Sequence, residues 1–172
     1  MKQLILVRHA KSGWGAAGSP DFDRTLSNQG QRDAETMAGR MALKLSLNPP
    51  EVPPKLDRII CSSAQRTRTT AETLAAKINY PVADIELDKN LYLAELDTWL
   101  ETIHCLPEQL QFVVMVGHNP ALTELANYLG DSPITGMPPC GMLYLKFDVT
   151  EWQQIGSTKP TEEFFDYPAL GA

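Results

Sequence analysis

Two histidines and two arginines stand where apolar runs of the chain give way to turns. Arg8 and His9 follow the run Leu4 to Val7, Arg66 comes shortly after Leu56 to Cys61 and the pair Ser62-Ser63, and His118 follows Gln111 to Val116. An imidazole can serve as nucleophile or proton donor near neutral pH. A guanidinium fork matches phosphate oxygens in pairs. Taken singly, each is an ordinary residue: a histidine after a strand commonly packs and hydrogen-bonds, and an early helical arginine is commonly solvated. Four cationic or potentially cationic groups gathered together repel one another unless an anion sits among them. The chemistry that suits the set is phosphoryl transfer. A neutral imidazole attacks phosphorus, arginines hold the oxygens, and a second, protonated imidazole stabilises the transferring charge. Arg66 adds a hint of its own. It falls in the first turn of a predicted helix, where the macrodipole disfavours a cation by about 0.3–1 kcal/mol. That placement makes sense if Arg66 faces an anion held by the same helix end.

For these residues to meet, the runs before them must be neighbouring strands. Gln3 to Val7 is a continuous apolar run, as in a strand covered on both faces. The loop from residue 10 to 26 is long and rich in Gly, Ser, Asp and Pro. Ser27 reads as the cap of a helix whose apolar face is Ala34, Met37, Ala38, Met41, Ala42 and Leu45. Pro49, Pro50, Pro53 and Pro54 end that helix in a stiff connector. Leu56 to Cys61 predicts a second strand. Ser62-Ser63 predicts the cap of a helix carrying Ala71, Leu74, Ala75 and Ile78, stopped by Asn79-Tyr80-Pro81. A weak strand is expected near Ile85 to Leu87, and loop followed by helix over Leu91 to His104. A strong strand is expected over Gln111 to Val116. A helix follows from Ala121 to Leu129, with Asn119 as cap and Pro120 at its first position. Met142 to Val149 predicts a last strand with Trp152 to Ile155 paired to it as a hairpin, and the polar segment 157–172 predicts a loosely held tail. Strands alternating with helices predict one domain over 1–172. Its fold class is α/β: a three-layer α/β/α sandwich around a mostly parallel central sheet. In such sheets ligands bind beyond the carboxyl ends of the strands, where the two histidines and two arginines fall.

Composition narrows the function classes. The 172 residues carry a net charge of -6 with no basic stripe, which disfavours a nucleic-acid partner. No apolar run is long enough to span a bilayer, and the short apolar N-terminal run is cut by Arg8-His9 before any cleavage site, so the expected location is the cytoplasm, away from membranes. Three cysteines, Cys61, Cys105 and Cys140, without CxxC spacing predict free thiols. No clustered aspartate motif for Mg²⁺ is present, and arginine and histidine can supply the positive charge, so no metal or cofactor is expected.

Leu6-Val7-Arg8-His9-Ala10-Lys11-Ser12 resembles the Arg-His signature of the histidine phosphatase superfamily, the phosphoglycerate-mutase-like proteins. Its Ala-Lys-Ser continuation is similar to the small phosphohistidine phosphatases called SixA. Ser62-Ser63-Ala64-Gln65-Arg66-Thr67 resembles the second arginine motif, and Val116-Gly117-His118-Asn119-Pro120 the second histidine motif. Asp23-Arg24-Thr25-Leu26-Ser27 with Gly30 fits the stretch leading into the first helix. The motifs run in family order from Leu4 to about Leu129.

The resemblance implies that His9 is the nucleophile, that Arg8 and Arg66 clamp the phosphoryl oxygens, and that His118 stabilises the transition state. The general acid stays open. Glu95 and Asp97 lie where larger members carry an acidic residue, and Asp21 and Asp23 are weaker candidates. A phosphoramidate needs such an acid less than an alkyl ester does, because its nitrogen leaving group can be protonated before the bond breaks. The expected activity is hydrolysis of a phosphoryl group, with phosphohistidine on a protein as substrate, through a phosphohistidine at His9. The alternatives are a small phosphate monoester as substrate, or a module that binds phosphorylated partners without turnover. Trp14 and Lys11 are candidates for the binding surface, and His104 for a helix end or surface residue.

Overall fold

The apolar run near the N-terminus becomes the spine of the sheet. In a computed structural model, which describes residues 1–47 and 55–170, it forms β1 (Lys2–Arg8), with Leu4, Leu6 and Val7 wholly buried. The other strands are β2 (Arg58–Ser62), β3 (Glu86–Asp88), β4 (Phe112–Gly117), β5 (Met142–Phe147) and β6 (Glu162–Asp166). The helices are α1 (Asn28–Leu47), α2 (Gln65–Lys77), α3 (Leu96–His104) and α4 (Ala121–Leu129). The strands form one sheet in the order β3-β2-β4-β1-β5-β6. Pairings from β3 through β1 are parallel, and β5 and β6 complete the sheet antiparallel.

Alternation along the strands supplies two cores. Ile5, Val7, Ile59, Cys61, Val114 and Val116 face the buried side of α1 and α2 (Ala34, Met37, Ala38, Ala71, Leu74). Leu4, Leu6, Ile60, Val113 and Met115 face Trp99 and Ile103 of α3 and Leu122 and Leu125 of α4. This is the expected α/β/α sandwich. Each fully buried aliphatic side chain contributes about 1.5–3 kcal/mol, which fixes the strand register. The proline connector read at Pro49, Pro50, Pro53 and Pro54 lies outside the described residues. Among the described residues no helix is long and apolar enough to cross a membrane.

Several local readings change. Ser27 does cap α1, accepting from Gly30 N–H at 3.0 Å. Ser62 and Ser63 do not cap α2, whose N-cap is Ala64 with no side-chain bond. Asn119 does not cap α4 either: its amide donates to the Met137 carbonyl and its side-chain oxygen accepts from the Thr123 hydroxyl. Trp152 to Ile155 makes no hairpin. Trp152–Gln154 is a 3-10 turn closed by its own capping box, with Trp152 buried. The outer partner of β5 is β6, inside the segment expected to be a loosely held tail. Arg40 reaches Asp166 and the Tyr167 carbonyl, and the Glu163 carboxylate takes the Asp131 and Ser132 N–H groups. The strand escaped notice because it lies at a sheet edge, where a polar sequence is favoured and apolar alternation is weak.

Candidate active site

Register brings the chemistry together. Parallel pairing sets Arg8 opposite Gly117, so His9 and His118 leave adjacent strands side by side, and the His9 N–H donates to the Gly117 carbonyl at 3.0 Å. The two imidazole centroids lie 5.4 Å apart. On the other flank of β4, Cys61 pairs with Val116, which sets Ser62 beside Gly117. The Ser62 hydroxyl lies 2.7 Å from His118 Nε2. Gly117 is required here: a Cβ at that position would sit 2.2 Å from the Trp99 ring of α3. Gly30 plays a similar part, since its Cβ would lie 2.0 Å from the Lys11 carbonyl and push α1 away from the loop after His9.

Backbone and side chains then hold the His9 turn. His9 Nδ1 lies 2.7 Å from the Ala10 carbonyl. A carbonyl only accepts, so Nδ1 carries the proton, and in the neutral ring Nε2 keeps its lone pair. The Ala10 N–H donates to Thr70 Oγ1 at 3.0 Å, and that hydroxyl donates to the Arg66 carbonyl, tying the loop to α2. Arg24 braces the loop farther on, donating to the Gly13 carbonyl and to Ser12 Oγ.

Arg66 is buried in the first turn of α2, as the sequence placed it, and the anion it faces is the Asp21 carboxylate, held by side chains and not by the α2 N–H groups. Nη2 pairs with Asp21 Oδ2 at 3.0 Å and Nη1 donates to the Asp21 carbonyl at 2.7 Å. Tyr92 donates to the same carboxylate oxygen at 2.7 Å. The Tyr92 ring meets His118 edge-on at 5.7 Å and Phe22 at 5.0 Å. The 3-10 turn Asp21–Asp23 and Tyr92 thus form a rim over the two imidazoles. Arg8 is partly buried; Nη1 donates to the Met137 carbonyl at 2.9 Å while Nε is buried without a partner.

The surroundings decide protonation. Burial first, then Arg66, Arg8 and Arg24, push the His9 ring down to about 4, against the raising effect of the Ala10 carbonyl. Burial, His9 and Arg66 push His118 down to about 3. Both rings are neutral near pH 7, so the second imidazole does not carry the proton expected of it before an anion binds. Asp21 is also shifted down, which for a carboxyl keeps the charged form. The Tyr92 hydrogen bond foremost, then Arg66 and Arg24, hold its carboxyl at about 2 against a smaller desolvation effect that raises it.

Glu95 is exposed at the N-cap of α3 and makes no side-chain hydrogen bond among the described residues. Asp97, in the first turn of α3, and Lys11 are exposed too. Trp14 is 97% exposed, so it packs on nothing, and Leu93, next to Tyr92, is 69% exposed with a positive φ of 54°. His104 is half-buried and donates to the Ile155 carbonyl. All three cysteines are free. Sequence reasoning ranked Asp21 low and left Tyr92 and the Ser62 bond out. Tyr92 and Asp21 are 71 residues apart, and no spacing rule joins them.

A sequence model described as the histidine phosphatase superfamily (branch 1) matches residues 4–99. The chain belongs to that superfamily, and phosphoryl-group hydrolysis is the class of activity this membership supports. An uncharacterized protein of Mycobacterium tuberculosis, Rv1276c, is 33% identical over 121 residues, 70% of this chain and 67% of the relative. Among solved structures, a candidate phosphohistidine phosphatase SixA from Agrobacterium tumefaciens is 25% identical, with a TM-score of 0.73, over 95% of this chain and 97% of that one. The protein histidine phosphatase SixA complexed with tungstate superposes with a TM-score of 0.76 at 19% identity, over 98% of each chain. The fold is the phosphoglycerate-mutase-like fold of these SixA structures.

Proposed function

We propose that the protein hydrolyses phosphohistidine on a protein through a covalent phosphohistidine at His9. The observation that carries the reading is the Nδ1–H bond from His9 to the Ala10 carbonyl, which leaves Nε2 as a nucleophile beside a buried arginine. The Nε2 lone pair forms a bond to phosphorus while the bond to the leaving nitrogen breaks. The leaving imidazole, protonated on its other nitrogen, departs neutral. Water then attacks phosphorus, the bond to His9 breaks, phosphate leaves and the ring returns to its starting state. Arg8, Arg66 and His118 hold the equatorial oxygens. Arg66 reaches them by exchanging the Asp21 carboxylate for a phosphoryl oxygen. No metal or cofactor takes part.

The rim supports this substrate class. Asp21, the carboxyl whose charge acts on His118, is held at about 2 and is a poor proton donor near neutral pH. An alkyl ester loses most without a donor, and a phosphoramidate loses least. The exposed Trp14 and Leu93 offer apolar surface to a folded partner. A small phosphate ester is the second reading. It is favoured by Glu95, a free carboxyl at the start of α3, three residues from Tyr92. A binding module without turnover would have little use for a nucleophile held in its reactive tautomer.

The test compares kcat/KM for a protein domain carrying phosphohistidine with that for an alkyl phosphate. A preference of about 10²-fold or more for the phosphoramidate is expected. Equal rates, or faster ester hydrolysis, would transfer the assignment to the second reading.

A further inference from the structure

The Ser62 hydroxyl is the sole hydrogen-bond partner of the His118 ring among the described residues. It is fully buried at the end of β2, lies 2.7 Å from Nε2, and makes no second hydrogen bond. The other ring nitrogen, Nδ1, is buried with no partner at all. Two neutral tautomers are open to the ring. If Nε2 carried the proton and donated to Ser62, the serine hydrogen would have no acceptor and Nδ1 would present a bare lone pair. Two buried groups would then go unsatisfied, each left with its full desolvation penalty. If Ser62 donates to Nε2 instead, the proton sits on Nδ1 and one group is left over, the Nδ1–H donor. That leftover group also has the right sign. Beside Arg8 and Arg66, a donor complements a phosphoryl oxygen, whereas a lone pair would repel it.

We infer that Ser62 is a positioning residue: it holds His118 as the Nδ1–H tautomer, so that Nδ1–H is the donor offered to a phosphoryl oxygen. The inference rests on the phosphatase reading above and names how its second histidine works. The proton stays on Nδ1 throughout. During attack the His9 Nε2–phosphorus bond forms, the bond to the leaving group breaks, and the Nδ1–H hydrogen bond shortens as charge grows on the oxygen. A neutral donor suffices, which fits a ring whose burial disfavours the imidazolium.

Long-range ¹⁵N–¹H correlation spectra of the substrate-free protein read the tautomer directly and need no turnover. The wild type should show His118 protonated on Nδ1. Ser62→Ala, which removes one oxygen from a buried site, should populate the Nε2–H form and lower kcat about 10-fold, with KM changed less. Ser62→Thr keeps the hydroxyl and should restore the tautomer and most of kcat. In a His118→Asn background, Ser62→Ala should have little further effect. An Nε2–H ring in the wild type would overturn the inference. So would a kcat loss in Ser62→Ala with the tautomer unchanged, or no change in either. Absence of turnover on every phosphoryl donor, with the Nδ1–H tautomer present, would instead count against the phosphatase reading.

Discussion

The floor of the site and its rim are built by different rules. The floor is His9, Ser62, Arg8 and His118, carried on or just beyond the ends of β1, β2 and β4 and held by strand register and backbone carbonyls. The rim is Asp21, Phe22 and Tyr92, on turns and held by side-chain contacts at partly or fully exposed positions, with Glu95 unbonded among the described residues at the start of α3. Arg66 joins the two, buried in α2 at one end and paired with Asp21 at the other. A floor fixed by the sheet suits the step that must be geometrically exact, attack on phosphorus. A rim fixed by side chains can vary without disturbing that step, so it is where the leaving group and the substrate are chosen.

Cutting the link between floor and rim should have the largest effect. Arg66→Ala removes two charge-assisted donors and should lower kcat/KM about 10²- to 10³-fold, with Arg66→Lys intermediate because it keeps the charge and loses the fork. Steady-state kinetics on an aryl phosphate checks this. A loss under about 5-fold would mean that Asp21, not phosphate, is the natural partner of Arg66.

The floor should also show in stability. Both imidazoles titrate below their usual value, at about 4 and about 3. Between those values and about 6.5 the unfolded chain binds protons that the folded chain does not, so ΔG of unfolding is undiminished above about 6.5 and falls as the pH is lowered toward the folded values. The expected loss is on the order of 1–2 kcal/mol per ring at about pH 5. Urea midpoints at about pH 7.5 and about pH 5 measure it, and replacing both histidines by glutamine should flatten the difference. The same pH slope in the double variant would place the titrating groups elsewhere.

The smallest effect belongs to the rim. Glu95→Gln should leave phosphoramidate hydrolysis within about 2-fold and slow ester hydrolysis by about 10-fold at most. Equal large losses on both substrates would make Glu95 part of the floor's chemistry and erase the distinction between the two regions.

The same division explains what the sequence disclosed. His9, Arg66 and His118 were legible because apolar runs mark strands, and in an α/β sheet the residues beyond those runs share one edge. The helix Ala121–Leu129 was legible from the turn Gly117-His118-Asn119-Pro120 before it, although its N-cap is Pro120 and not Asn119. Ser62 was misread because a serine before a helix is an ordinary cap signal, whereas its use is set by pairing with β4, about fifty residues away. Asp21 and Tyr92 depend on tertiary contact alone, and β6 on an edge position that asks for no apolar pattern. Local pattern reveals what the backbone arranges; contacts between distant loops leave no such trace.

The central claim is that His9 carries the phosphoryl group. The most direct measurement is a rapid-quench search for acid-labile phosphate on the protein, comparing wild type with His9→Ala, each fed a phosphohistidine-bearing protein or an aryl phosphate. Label on the wild type, mapped to His9 and missing from the variant, is the predicted result. Turnover by the wild type with no label, at a time resolution shorter than one catalytic cycle, would contradict the covalent mechanism.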